Sequence, residues 1–215
     1  MKVLIVGLPR SGTTSLQNSF SDQGYTKINE PYNYALDISN QKLVNKTINY
    51  DYPPKEVIEE DNVIVKTIVG HIADIWEHDW YSFIIEFSKH FDKVILLDRL
   101  QFEEHLMSVV HLKYKLSKGE SVRQKWIRDD INDDFLAGYM AAGGDELLKN
   151  DKAQLKRISD KLNIPITYYE NLYSDDRIAV FELINKWNLD IDPFDMLDYL
   201  DPSKKLKQND KKSVI

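Results

Sequence analysis

Lys2-Val3-Leu4-Ile5-Val6-Gly7-Leu8-Pro9-Arg10-Ser11-Gly12-Thr13-Thr14 is the stretch whose reading decides the fold. Val3–Val6 is an unbroken apolar run, which suits a strand covered on both faces, as in a parallel sheet. Thr13–Phe20 continues as a helix. A glycine-containing turn between a buried strand and a helix gathers backbone N–H groups at the positive end of the helix dipole. Folded chains cradle phosphate or sulfate in this way. The spacing from Gly7 to Thr14 follows G-x-x-x-x-G-K-[ST], with Thr13 in place of the lysine. That lysine reaches the β- and γ-phosphates of a nucleoside triphosphate, so its loss removes the usual clamp for ATP or GTP hydrolysis. Arg10 supplies a cation elsewhere in the turn.

Working outward, Val63–Ile68 and Val94–Leu97 are further buried-strand runs, and Pro165–Tyr169 is a shorter one. Helical patterns lie between them at Tyr81–Phe91, Phe102–Leu116, Glu146–Leu162 and Ile178–Trp187. Strands alternating with helices predict an α/β fold of the P-loop type, three layers α/β/α around a mostly parallel sheet. Tyr32–Pro54 reads as a long polar, tyrosine-rich loop, of the kind that is often functional. Ser121–Gly144 reads as a helix ended by Gly143-Gly144. The lysine-rich stretch Ser203–Ile215 reads as a solvated tail.

Composition narrows the classes. Hydrophobic residues at 42% and charged residues at 29% are ordinary globular usage, which excludes disordered, collagenous and disulfide-scaffold chains. A net charge of −7 fits poorly with broad nucleic-acid binding, so no nucleic-acid partner is expected. The absence of cysteine excludes thiolate catalysis and zinc–cysteine sites, and no metal cluster is apparent. The start lacks the apolar stretch of about 7–15 residues that a signal peptide needs. No run approaches the roughly 20 residues of a membrane span. The expectation is one cytoplasmic domain over residues 1–215.

Pro9-Arg10-Ser11-Gly12-Thr13-Thr14 resembles the 5′-phosphosulfate loop, P-[KR]-S-G-T-[TS], of sulfotransferases that use 3′-phosphoadenosine 5′-phosphosulfate (PAPS). The resemblance implies that Arg10, Ser11, Gly12, Thr13 and Thr14 hold the 5′-phosphate and sulfuryl group. A second segment, Val94 to Arg99 followed by a helix with Ser108, is similar to the family's 3′-phosphate site, which joins a strand-end arginine to a serine on the next helix. A guanidinium fork and a hydroxyl suit a phosphate. A third, Tyr168-Tyr169-Glu170-Asn171-Leu172, resembles the family's Y-E-D-L segment and implies Tyr169 beside the adenine. The three segments occur in the family's order. Two departures separate this chain from the cytosolic members: the first leaves a segment closer to bacterial and carbohydrate-type ones, and the second, with the displaced histidine, keeps a non-catalytic reading open. Leu100-Gln101 stands where an Asn/Asp-Pro pair is usual, and no glycine follows Gly144, so the late G-x-x-G-x-x-K segment is absent.

Sulfuryl transfer requires in-line positioning, cations on the oxygens that gain charge, and a base for the acceptor proton. Arg10 and Lys66, the latter in a Val65-Lys66-Thr67 resembling the family's V-K-T strand, are the candidate catalytic cations. Two bases stay open. Glu30 lies in an Asn29-Glu30-Pro31 similar to carbohydrate-type members, and would need burial or negative neighbours to raise its pKa. His71 follows the Lys66 strand, displaced from the histidine of cytosolic members, where this chain has Ile68. His78, His90, His105 and His111 carry no motif. The implied reaction moves a sulfuryl group from PAPS, leaving 3′-phosphoadenosine 5′-phosphate (PAP), to a hydroxyl or amine of a small molecule, glycan or lipid. The alternatives are a P-loop kinase for a nucleoside or small metabolite, with Asp98 as the nearest magnesium-site carboxylate, and a sulfotransferase-like domain that binds nucleotide without turnover.

Overall fold

A computed structural model describes residues 1–32, 34–37, 42–45, 52–69, 80–119 and 131–201. Its frame is a five-stranded, wholly parallel sheet of β1 (Lys2–Gly7), β2 (Thr26–Asn29), β5 (Val63–Ile68), β6 (Lys93–Asp98) and β7 (Ile166–Tyr168), in the order β2-β5-β1-β6-β7. The register is continuous at its centre, with Ile5 beside Lys66 on one side and Ile95 on the other. Each parallel crossover needs a long connection, and helices supply it.

Alternation along the strands assigns the two faces. Val3, Ile5, Ile64, Ile95 and Leu97 join one core. It is covered by α1 (Thr13–Ser21), α8 (Arg177–Lys186) and α9 (Pro193–Tyr199), through Leu16, Phe20, Val180, Ile184 and Met196. Leu4, Val6, Val63, Val65 and Leu96 join the other. It is covered by α3 (Trp80–Ser88), α4 (Phe102–Ser117) and α6 (Gly144–Leu162), through Phe83, Phe87, Leu106, Val110, Leu155 and Ile158. A run apolar at every position is required because both faces of β1 are covered; Val3, Leu4, Ile5 and Val6 are all 0% exposed. Each such side chain contributes about 1.5–3 kcal/mol through burial. The result is three layers, α/β/α.

Three readings are corrected. The stretch Tyr32–Pro54 is not simply a loop: β3 (Tyr34–Asp37) and β4 (Lys42–Asn45) pair antiparallel, Leu36 opposite Leu43. Strands of four residues are too short to display a clear period. Tyr169 does not end β7 but begins the one-turn helix α7 (Tyr169–Leu172). Two short helices were unread, α2 (Lys55–Glu59) and α9, the latter capped by Asp192 with Pro193 at its first position. The helix read within Ser121–Gly144 is α5 (Asp133–Ala141), which begins at the N-cap Asn132; residues 121–130 lie outside the described residues. The expected break at Gly143-Gly144 is present: Gly143 has φ +79, and a Cβ on Gly144 would collide with the Tyr139 ring. The lysine-rich tail lies outside the described residues. No described helix is long and apolar enough to cross a membrane.

Candidate active site

The connection from β1 runs to one side of the sheet, while β6 and β7 lie on the other. Ligands of open parallel sheets bind at such a reversal, beyond the carboxyl ends of the strands. A cleft of about 450 Å³ occupies that place. Its walls are the turn after β1, Glu30 after β2, Lys66 and Ile68 of β5, Arg99 after β6, Ser108 and Leu112 of α4, and Tyr169 of α7.

The turn is tight because side chains are missing where backbone must pass. A Cβ on Gly7 would collide with Thr13 and lie 2.8 Å from Ser11 Oγ. Gly12 has φ +85, and a Cβ there would lie 2.7 Å from Tyr173 Cε2 and 2.8 Å from Tyr169 Cδ2. Gly12 is also the N-cap of α1, which no side chain caps. The first-turn N–H groups, on residues that line the cleft, therefore present the positive helix end to an anion.

Three cations meet at the turn. Arg10 holds a left-handed backbone, φ +67, which for a residue with a Cβ persists only where the surroundings enforce it. Its Nε donates to Ser108 Oγ at 3.2 Å. Burial, and then the like charge of Arg99, push its guanidinium below the ordinary value. Arg99 lies 3.5 Å from Glu104 Oε2 and 3.5 Å from Glu170 Oε1, with its guanidinium 4.7 Å from the centre of the Tyr169 ring. Lys66 is 3% exposed. Its Nζ lies 2.8 Å from Glu30 Oε1 and donates to Thr14 Oγ1 at 2.9 Å. One ammonium thus ties the carboxylate to the turn. Glu30 is itself at φ +49, and its N–H donates to Lys66 O at 2.8 Å.

A buried polar cluster backs the turn. The carboxylate of Asp98 lies 2.6 Å from Lys152 Nζ and accepts the Arg99 N–H at 2.7 Å. Burial raises the cost of its charge, but the His105 ring, Lys152 and the Arg99 amide outweigh that and hold the carboxyl below its ordinary value.

The structure brings Arg10, Gly12, Thr13, Thr14, Glu30, Lys66, Arg99, Ser108 and Tyr169 to one cleft. It does not bring Ser11 there: the side chain is 0% exposed, and its hydroxyl donates to Leu8 O at 2.7 Å, shaping the turn from within. Arg99 and Ser108 share the cleft but engage other groups, the two glutamates and Arg10 respectively. His71 lies outside the described residues. Unread from the sequence were Tyr173, whose hydroxyl donates to Gly12 O at 3.1 Å, and the Asp98, His105 and Lys152 cluster. Tyr173 stands 161 positions from Gly12, and no local pattern marks such a contact.

A family model described as a sulfotransferase domain matches residues 2–188. No curated protein and no solved structure matches the chain.

Proposed function

The chain belongs to the sulfotransferase domain family, and on that premise we propose that it transfers a sulfuryl group from PAPS to a hydroxyl or amine of a small molecule, glycan or lipid. The chain would act as one cytoplasmic domain. The observation that carries the reading is the convergence of Arg10, Lys66 and Arg99 with one carboxylate, Glu30, around an uncapped helix N-terminus. Glu30-Pro31 and the Arg99–Ser108 segment favour a bacterial or carbohydrate-type member.

The residues fit the donor. Burial, and then the like charge of Arg99, make the Arg10 charge costly, and an anion bound in the cleft would relieve that cost. The N–H groups of Thr13 and Thr14 would hold the 5′-phosphate, Arg99 and Ser108 the 3′-phosphate, and Tyr169 the adenine face. PAPS, when bound, supplies the sulfuryl group and a phosphate leaving group. Arg10 and Lys66 stabilise negative charge where it grows. Glu30 accepts the proton of the attacking hydroxyl or amine; its neighbour is the Lys66 ammonium and not the negative charge expected from the sequence, so the role rests on the position of the carboxylate beside the turn. Lys66 fixes Glu30 relative to the turn, so base and anion site keep their spacing without loss of entropy at the moment of reaction.

Asp98, the carboxylate a kinase would use for magnesium, does not line the cleft and is engaged by Lys152. The test is transfer of label from radiolabelled PAPS to a panel of hydroxyl and amine acceptors, run beside magnesium-dependent ATP consumption. Labelled product supports the reading. ATP consumption without it favours the kinase, and PAP binding with neither activity favours a non-catalytic domain.

A further inference from the structure

We propose that His105 is a positioning residue that aims the backbone of the anion-binding turn. The inference rests on the reading of that turn as the phosphosulfate site and adds a residue to it. The His105 ring is 0% exposed on the first turn of α4. Its Nε2 lies 2.7 Å from Pro9 O, and its Nδ1 lies 3.5 Å from Asp98 Oδ1. A carbonyl oxygen only accepts. A bare Nε2 would set lone pair against lone pair at that distance, so Nε2 carries a proton whatever the state of Nδ1.

The Pro9–Arg10 peptide is a planar unit in which C=O and N–H point in opposite directions. Anchoring the carbonyl on the buried ring turns the Arg10 N–H the other way, toward the cleft that both residues line. The far end of the turn is held alike: Gly12 O accepts from Tyr173 Oη at 3.1 Å and from Leu16 N–H at 3.1 Å. The Thr13 N–H of that peptide then faces the opposite side. Two buried donors grip the outer carbonyls, and the amides between them are presented as a set. The left-handed backbone of Arg10 is what this grip sustains. Asp98, held by Lys152 and the Arg99 amide, abuts the other ring nitrogen and limits the ring's rotation.

The test is calorimetric titration of PAP, and of pyrophosphate as an anion without adenine, into wild type, His105→Leu and His105→Gln. Thermal unfolding without ligand establishes that each variant is folded. His105→Leu is expected to weaken both ligands by about tenfold or more, since Pro9 O loses its donor. His105→Gln, whose amide N–H can reach the place of Nε2–H, is expected to restore most of the affinity. A folded His105→Leu that binds like wild type overturns the proposal. If that variant does not fold, ring ¹⁵N spectra of wild type decide: a protonated Nε2 perturbed by PAP supports the proposal, and a bare Nε2 overturns it. Wild type that binds neither ligand overturns the phosphosulfate reading and this inference with it, a result distinct from unchanged affinity in the variant.

Discussion

Glu30 is the residue whose setting says most about chemistry. It lies just past β2, in a left-handed backbone that a glutamate rarely adopts, with its carboxylate on a buried lysine. Glu30→Gln keeps an acceptor oxygen for Lys66 but cannot take a proton. We expect turnover to fall about 10²-fold or more, with PAP affinity nearly unchanged. Steady-state rates and PAP titrations on the same preparation check this. Full turnover in that variant, with loss in His71→Asn, would move the base to the segment after β5. Gly12 makes a second residue-level case. Its φ of +85 disfavours any side chain, and the Tyr173 and Tyr169 rings occupy the space of a Cβ. Gly12→Ala should therefore suffice to abolish PAP binding, and the larger Gly12→Val should do the same. PAP titration of each folded variant is the check, and binding retained by Gly12→Ala would place the anion elsewhere.

Among the helices, α6 carries an avoidable cost. Asp151 sits where burial pushes its carboxyl up to about 6, with Lys113 of α4 pulling the other way. The same carboxylate, after burial, helps raise the Tyr139 hydroxyl of α5. The folded state therefore holds the Asp151 proton more tightly than the unfolded chain, whose carboxyl has the ordinary value of 3.8. Below about pH 4 both states are protonated and the site costs nothing. As pH rises through about 6 the folded carboxyl must ionise, and stability is lost. Asp151→Asn should be more stable than wild type above pH 6, by about 1–2 kcal/mol after allowance for partial exposure. The difference should vanish near pH 4. Thermal unfolding of both proteins from pH 4 to 8 measures it, and a pH-independent difference would assign the gain to something other than this proton.

The cleft draws on β1, β5, β6, α1, α4 and α7, so its ligand ties together both layers that flank the sheet. Binding to the folded state alone stabilises the whole molecule by mass action, about 2.7 kcal/mol at 100 times the dissociation constant. For a chain of this size that corresponds to a rise of roughly 5–10 °C in Tm. PAP should produce it and equimolar ADP should produce much less, because only PAP offers a 3′-phosphate to Arg99. Arg99→Ala should shrink the difference. Arg99 already faces Glu104 and Glu170 at 3.5 Å, and their negative charge offsets part of its attraction for a phosphate, so its net contribution is smaller than that of an arginine without such neighbours. Equal shifts from PAP and ADP in wild type would refute the 3′-phosphate assignment.

The buried runs of β1, β5 and β6, the α/β class and the turn after β1 were legible in the amino-acid sequence because each depends on local causes. Val3 to Val6 are apolar at every position because both faces of β1 are covered, and Gly7 and Gly12 mark where backbone passes without room for a side chain. Resemblance of short segments to sulfotransferase motifs nominated Arg10, Glu30, Lys66, Arg99 and Ser108, and all five line the cleft. Their partners were not legible. Lys66 to Glu30, Arg10 to Ser108, Tyr173 to Gly12 and His105 to Pro9 all join distant parts of the chain, the last two across 161 and 96 positions. Ser11 fits the motif as well as Thr13 does, yet the fold turns its hydroxyl inward to Leu8 O. Periodicity and turn chemistry act over a few residues. The partner of a buried polar group is set by which elements pack around it, because once water is excluded the group must take the donor or acceptor that the packing leaves within reach.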